Sequence, residues 1–170
     1  MPISAQVKEF LGYLQKNPSV RWRIAAPQDK TLLYAGSFFR PIWQEVETMR
    51  RTNTHLADKV LLPDVLAAIP GSGTYPTLLA WAKDLDHIVP WEKNGFIAWR
   101  ALSGIFASNA VGQVSFYIGN GITPGKVFAA TEVPVLARNP NLDPTTCDLI
   151  AYYQQCIRSR EPKINVGFIS

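Results

Sequence analysis

The sequence predicts a mainly α-helical single domain with a small β component, a short hairpin or extended arms, broken by irregular proline-rich segments. Three observations carry this. Apolar residues recur at spacings of three and four in several stretches. Strict alternation is confined to short runs. Thirteen prolines in 170 residues impose frequent interruptions. The length suits one domain, read as residues 1–170 with ordered N- and C-terminal extensions, and suffices to bury a core without disulfides.

Residues 2–16 form the first predicted helix, with Val7, Phe10, Leu11 and Leu14 on one face and Asn17-Pro18 as its stop. Val20, Trp22 and Ile24 alternate with Arg21 and Arg23, which predicts a strand or extended arm. Residues 31–39 are a strand or the start of a helix, since the period fits both. Residues 41–51 are a helix with Pro41 in its first turn. A further helix is expected over 55–69 with a break at Pro63, then a loop at Pro70-Gly71-Ser72-Gly73 and a short helix over 77–85.

The stretch from Ala101 to Gly125 holds no charged residue and admits two structures. In one, a single helix runs over 96–118, with Arg100 near one end, and is buried in a membrane or in protein. In the other, the helix ends near Ser108, Val114, Phe116 and Ile118 alternate as a strand, and 126–135 returns as a hairpin partner, with Pro134 marking an edge. The amides of Asn109, Gln113 and Asn120 make the stretch too polar for an ordinary spanning helix, which favours the hairpin. Small residues at Gly104, Ser108 and Gly112, together with Arg100, mark the candidate packing interface, because a small-residue stripe lets another backbone approach. A last helix, capped by Thr145 or Thr146, runs to about Arg160, and residues 163–169 form an extended tail.

Charged residues are 18% of the chain against about 25% in a typical soluble domain, so part of the surface is expected to be covered by something other than water. The first 51 residues carry eight basic and four acidic side chains, an excess equal to the whole net charge of +4. Cys147 and Cys156 lie nine positions apart, on opposite sides of a helix, so they cannot bridge and are read as free thiols in a reducing compartment. No secretory signal is expected at the N-terminus.

No pattern of catalytic residues stands out. Asp86-His87 echoes the start of a metal-dependent nuclease motif but lacks the downstream partners. His55 with Glu45, Glu47 and Asp58 is read as a surface histidine among acids. Gly71-Ser72-Gly73-Thr74 lacks the lysine of a phosphate loop. Arg100, Ser103 and Glu132 follow the residue order of ADP-ribosylating enzymes, with a spacing that is short. The five tryptophans, Trp22, Trp43, Trp81, Trp91 and Trp99, are expected in the core and at interfaces.

The run from Ser19 through Trp43, followed by residues 56–71, resembles lineage-specific accessory subunits of mitochondrial respiratory assemblies, notably the ATP synthase of euglenozoan protists. The resemblance implies a non-catalytic subunit of a mitochondrial inner-membrane complex, acting in assembly or in packing of its membrane or dimer region. It implies other subunits as partners, with lipid as a further contact, no nucleic acid and no cofactor. The rival expectation is a small cytosolic effector-type enzyme acting on NAD or nucleic acid.

Overall fold

The computed structural model describes residues 3–35, 42–89, 95–119, 122, 125–159 and the strand 167–169. It is 60% helix and 11% strand, so the mainly helical expectation holds. The elements are α1 (Ala5–Lys16), α2 (Pro18–Arg23), β1 (Thr31–Ala35), α3 (Ile42–Thr52), α4 (Leu62–Ala67), α5 (Leu78–Ile88), α6 (Gly95–Ser108), β2 (Val114–Ile118), α7 (Val133–Ala137), α8 (Pro144–Ser159) and β3 (Gly167–Ile169).

Helix α1 starts where Ser4 accepts the Val7 amide at 3.2 Å, and it buries Val7, Phe10 and Leu14. The next segment corrects a sequence expectation. Residues 20–24 are not a strand but lie largely within α2, which begins at Pro18. Proline fits a first helical turn, and only Val20 of α2 is buried, while Trp22 is 73% exposed. The alternation therefore had no sheet behind it.

The helix expected over 55–69 is also shortened, to α4. Residues 59–61 are drawn out alongside β1, where Leu32 donates to the Val60 carbonyl at 3.0 Å and Val60 to that of Lys30 at 2.8 Å. Pro63 then sits in the first turn of α4, and the Asp64 carboxylate accepts the Leu61 amide at 2.9 Å. Thr77 caps α5 by accepting the Ala80 amide at 3.1 Å.

Helix α6 ends at Ser108, so the continuous helix over 96–118 is overturned. Gly112 has φ +78°, and the Gln113 amide turns to Asp29 Oδ1 at 2.7 Å before the chain enters β2. Among the described residues no helix is long and apolar enough to cross a membrane. The hairpin is half corrected: β2 forms as expected, but its partners are β1 and β3. Residues 128–132 form a π-helical turn that runs directly into α7. Pro134, lacking an amide, occupies the first turn of α7 and is not on an edge strand.

Strand β2 is buried throughout and lies between β1, parallel to it with Leu33 opposite Phe116, and β3, antiparallel. The parallel pair needs a long crossover, which α3 to α6 supply. On one face of the sheet, Leu33, Val114, Phe116 and Ile118 join the main core with residues of α1, α4, α5, α6 and α8. On the other, Leu32 and Tyr117 pack with Val46 of α3, Leu56 and Leu61. Phe116, Phe128 and Tyr153 meet edge to face with ring centroids 5.2 to 6.0 Å apart, tying the sheet to the π-helical turn and α8.

The cap of α8 is Asp143, whose Oδ1 accepts the Thr146 amide at 2.8 Å, in place of the expected Thr145 or Thr146. Thr146 instead accepts the Val114 amide at 3.1 Å and so pins α8 to β2. The far end of the expected tail is β3.

Candidate functional site

One face of α6 is the floor of an open groove of about 770 Å³, walled by α1 on one side and α7 with the turn after it on the other. The floor comes from helical spacing: Arg100, Gly104 and Ser108 are four apart, with Ala101 and Ile105 beside them. Leu11 and Leu14 of α1 and Val135 of α7 complete the apolar lining. A Cβ added at Gly104 would meet Thr131 Cγ2 at 3.4 Å, an ordinary contact, so α6 and the π-helical turn lie at normal packing distance there.

Three arginines rim the groove. The Arg21 guanidinium donates to the Leu14 and Gln15 carbonyls at 2.6 and 2.7 Å, closing the end of α1. The Arg100 Nε donates to Thr131 Oγ1 at 2.8 Å, and its guanidinium carbon lies 5.8 Å from the centre of the Phe96 ring. Arg138 is exposed; its backbone amide caps α7 on the Val135 carbonyl at 3.1 Å, but its side chain has no hydrogen bond or ion pair among the described residues. Buried Asn139 donates from Nδ2 to the carbonyls of Ala107, Ser108 and Ala110 at 3.0, 3.2 and 2.9 Å, which ends α6 and fixes the groove's corner. Among the described residues, no aspartate, glutamate, histidine or cysteine lines the groove.

Of the four residues expected at the packing interface, Arg100, Gly104 and Ser108 come together here. Gly112 does not: it lies beyond the helix, bridged to Leu142, and a Cβ on it would stand 2.0 Å from Asp29 Oδ1. Arg21, Arg138, Asn139, Leu11 and Leu14 were not singled out as site residues. They belong to three other segments, and nothing local in the sequence links them to α6.

Behind the groove, Glu132 is buried in the π-helical turn, where desolvation pushes its carboxyl up to about 8 despite a hydrogen bond with Ser103. Its Oε2 has no hydrogen-bond partner. Burial, then the nearby Glu132, raises the Tyr34 hydroxyl to about 12. Ser103 and Glu132 thus meet, but inside the core, while Arg100 is exposed and engaged with Thr131. The three do not share an accessible cleft in which a nucleotide could sit.

The other candidates disperse. Asp86 accepts the Trp99 indole N–H at 2.9 Å, and desolvation raises its carboxyl, while His87 is exposed on the last turn of α5. His55 lies in an exposed turn, Glu47 pairs with Arg50 at 2.6 Å, and Asp58 lies 3.9 Å from Lys59. Among the described residues, no three of His, Cys, Asp and Glu are grouped to hold a metal. Gly71 and Gly73 form a tight loop, where a Cβ at Gly71 would stand 2.5 Å from the Tyr75 carbonyl. Cys147 is exposed and Cys156 buried, both free on α8. Trp81 is core and stacks on Tyr75, whereas Trp91 and the Trp43 side chain lie outside the described residues.

No protein-family model matches this chain, and no curated protein or solved structure is detectably similar to it.

Proposed function

We propose that this chain is a non-catalytic accessory subunit of a larger assembly, which it serves by packing against neighbouring chains. The observation that carries the reading is the groove over α6. It is apolar along its floor, basic at its rim, and among the described residues lined by no carboxylate, imidazole or thiol that could move a proton or attack a substrate. An exposed trough of this kind fits a surface that another chain covers. The resemblance of residues 19–71 to accessory subunits of euglenozoan ATP synthase would make that assembly the mitochondrial inner-membrane ATP synthase. Contact there would come through protein neighbours, with lipid at the edge.

The test is purification of the tagged chain from its own cells under mild solubilisation, followed by native mass spectrometry. The expected result is a fixed set of partner chains in constant ratio. Ser108→Trp places bulk in the groove at an exposed position and is expected to release partners while the circular dichroism spectrum stays unchanged. Recovery of the unaltered chain as a solitary monomer would overturn the reading.

A further inference from the structure

We infer that the groove over α6 seats an acidic amphipathic helix from a neighbouring chain, with leucine-like side chains on the floor and carboxylates against Arg100 and Arg138. This rests on the accessory-subunit reading and names the occupant. The argument is charge complementarity. Among the described residues, three guanidinium groups and no acidic side chain face the groove. The ends of α1, α6 and α7 also point there, and each helix C-terminus carries about half a negative charge, so together they offset about half of the arginine charge. Hydrogen bonds show how that offset is distributed. Arg21 is spent on the carbonyls ending α1, and Asn139 on those ending α6. Arg100 keeps its terminal nitrogens free of any acid among the described residues, and the Arg138 side chain has no hydrogen bond or ion pair there.

The shape favours a helix over an extended strand. The floor is itself a helix face whose smallest residue, Gly104, lies between Arg100 and Ser108, and among the described residues no sheet edge borders it. A helix docked by its apolar face reads such a trough through residues one turn apart. Its flanking carboxylates would then reach the two rim arginines as partly exposed ion pairs.

The experiment uses the folded full chain and two synthetic helical peptides of equal length and leucine spacing, one flanked by glutamates and one by lysines. Fluorescence anisotropy measures binding, and vesicles of phosphatidylglycerol in phosphatidylcholine are tested in parallel. The glutamate peptide is expected to bind about tenfold more tightly than the lysine peptide, a preference that shrinks with salt. Arg138→Glu is expected to lower its affinity about fivefold, and R100E with R138E to reverse the preference. Because the Arg138 side chain makes no hydrogen bond or ion pair among the described residues, and its backbone cap on α7 survives the substitution, that variant is expected to fold even if the double variant does not. Equal binding of the two peptides, no binding of either, or indifference to Arg138→Glu overturns the inference. So does Arg138-dependent binding of the anionic vesicles without binding of the glutamate peptide. If the peptides fail while the native chain still purifies with fixed partners, the occupant is wrong and the accessory-subunit reading stands. If the glutamate peptide binds but the native chain is solitary, the groove's preference stands and that reading falls.

Discussion

Replacing Glu132 with glutamine should remove the largest single share of the stability that the unaltered chain loses as pH rises. The carboxyl is held at about 8 in the folded chain against an ordinary value of 4.5, chiefly because burial penalises the charged form. Folding therefore takes up a proton wherever the unfolded carboxyl is ionised and the folded one is not. The sign follows: stability is full below about pH 4.5, declines by about 1.4 kcal/mol per pH unit as the unfolded group ionises, and levels off above pH 8. Across the whole interval the loss is about 5 kcal/mol, comparable to the net stability of many small domains. Glutamine keeps the shape and a hydrogen-bonding atom for Ser103 but has no charge to bury. Urea titrations of both proteins at several values from pH 5 to pH 9 measure the effect. Their difference isolates Glu132 from other groups such as Asp86, which titrates in both. The expected result is near-equality at pH 5 and a clear advantage for Glu132→Gln at pH 9. Parallel curves, or an advantage that shrinks with rising pH, would refute the reasoning.

Asn139→Ala removes the donor that closes the Ala107 and Ser108 carbonyls of α6 and the Ala110 carbonyl just beyond it, and should cost about 2 to 3 kcal/mol in urea titration, with α6 amides near Ser108 exchanging faster. Gly112→Ala combines φ +78° with a Cβ 2.0 Å from Asp29 Oδ1 and should lose more than about 2 kcal/mol, read as a lowered Tm. Gly125→Ala, at φ +88° in open space, should lose only about 1 kcal/mol. Tyr153→Phe deletes a buried hydroxyl that has no hydrogen-bond partner and should leave stability unchanged or raise it by up to about 1 kcal/mol in thermal melts. Cys147 should react with a thiol reagent at once, and Cys156 only at the rate of unfolding, as followed by mass spectrometry.

The helices that could be read from the sequence are those whose signals are local. Val7, Phe10 and Leu14 repeat at helical spacing, and Ser4 and Thr77 sit where caps belong. The alternation of Val114, Phe116 and Ile118 identified β2 because both faces of that strand have something to pack against. The same alternation misled at Val20, Trp22 and Ile24, where no neighbouring strand exists and Pro18 instead starts a helix. The expected hairpin arm over 126–135 also failed, because the antiparallel partner of β2 comes from the chain's far end. Strand pairing over such distances leaves little trace in any short window, because periodicity reports a buried face and not the identity of what buries it.

The groove divides along the same line. Arg100, Gly104 and Ser108 share one helix, so spacing alone aligned them. Gly112 was placed in register with them only by extending the helix past its end. Arg21, Arg138 and Asn139 reach the groove from α2 and from the turn after α7, and what brings them together is the packing of α6 against α1 and α7. The charge of the rim is therefore a property of the fold and not of any segment. A chain whose net charge of +4 is spread over its first third still concentrates three arginines around one apolar trough. Arg21 and Asn139 have structural work that explains them completely. Arg138 has none, and Arg100 only in part, so the preference of the groove for an acidic neighbour comes down to those two side chains.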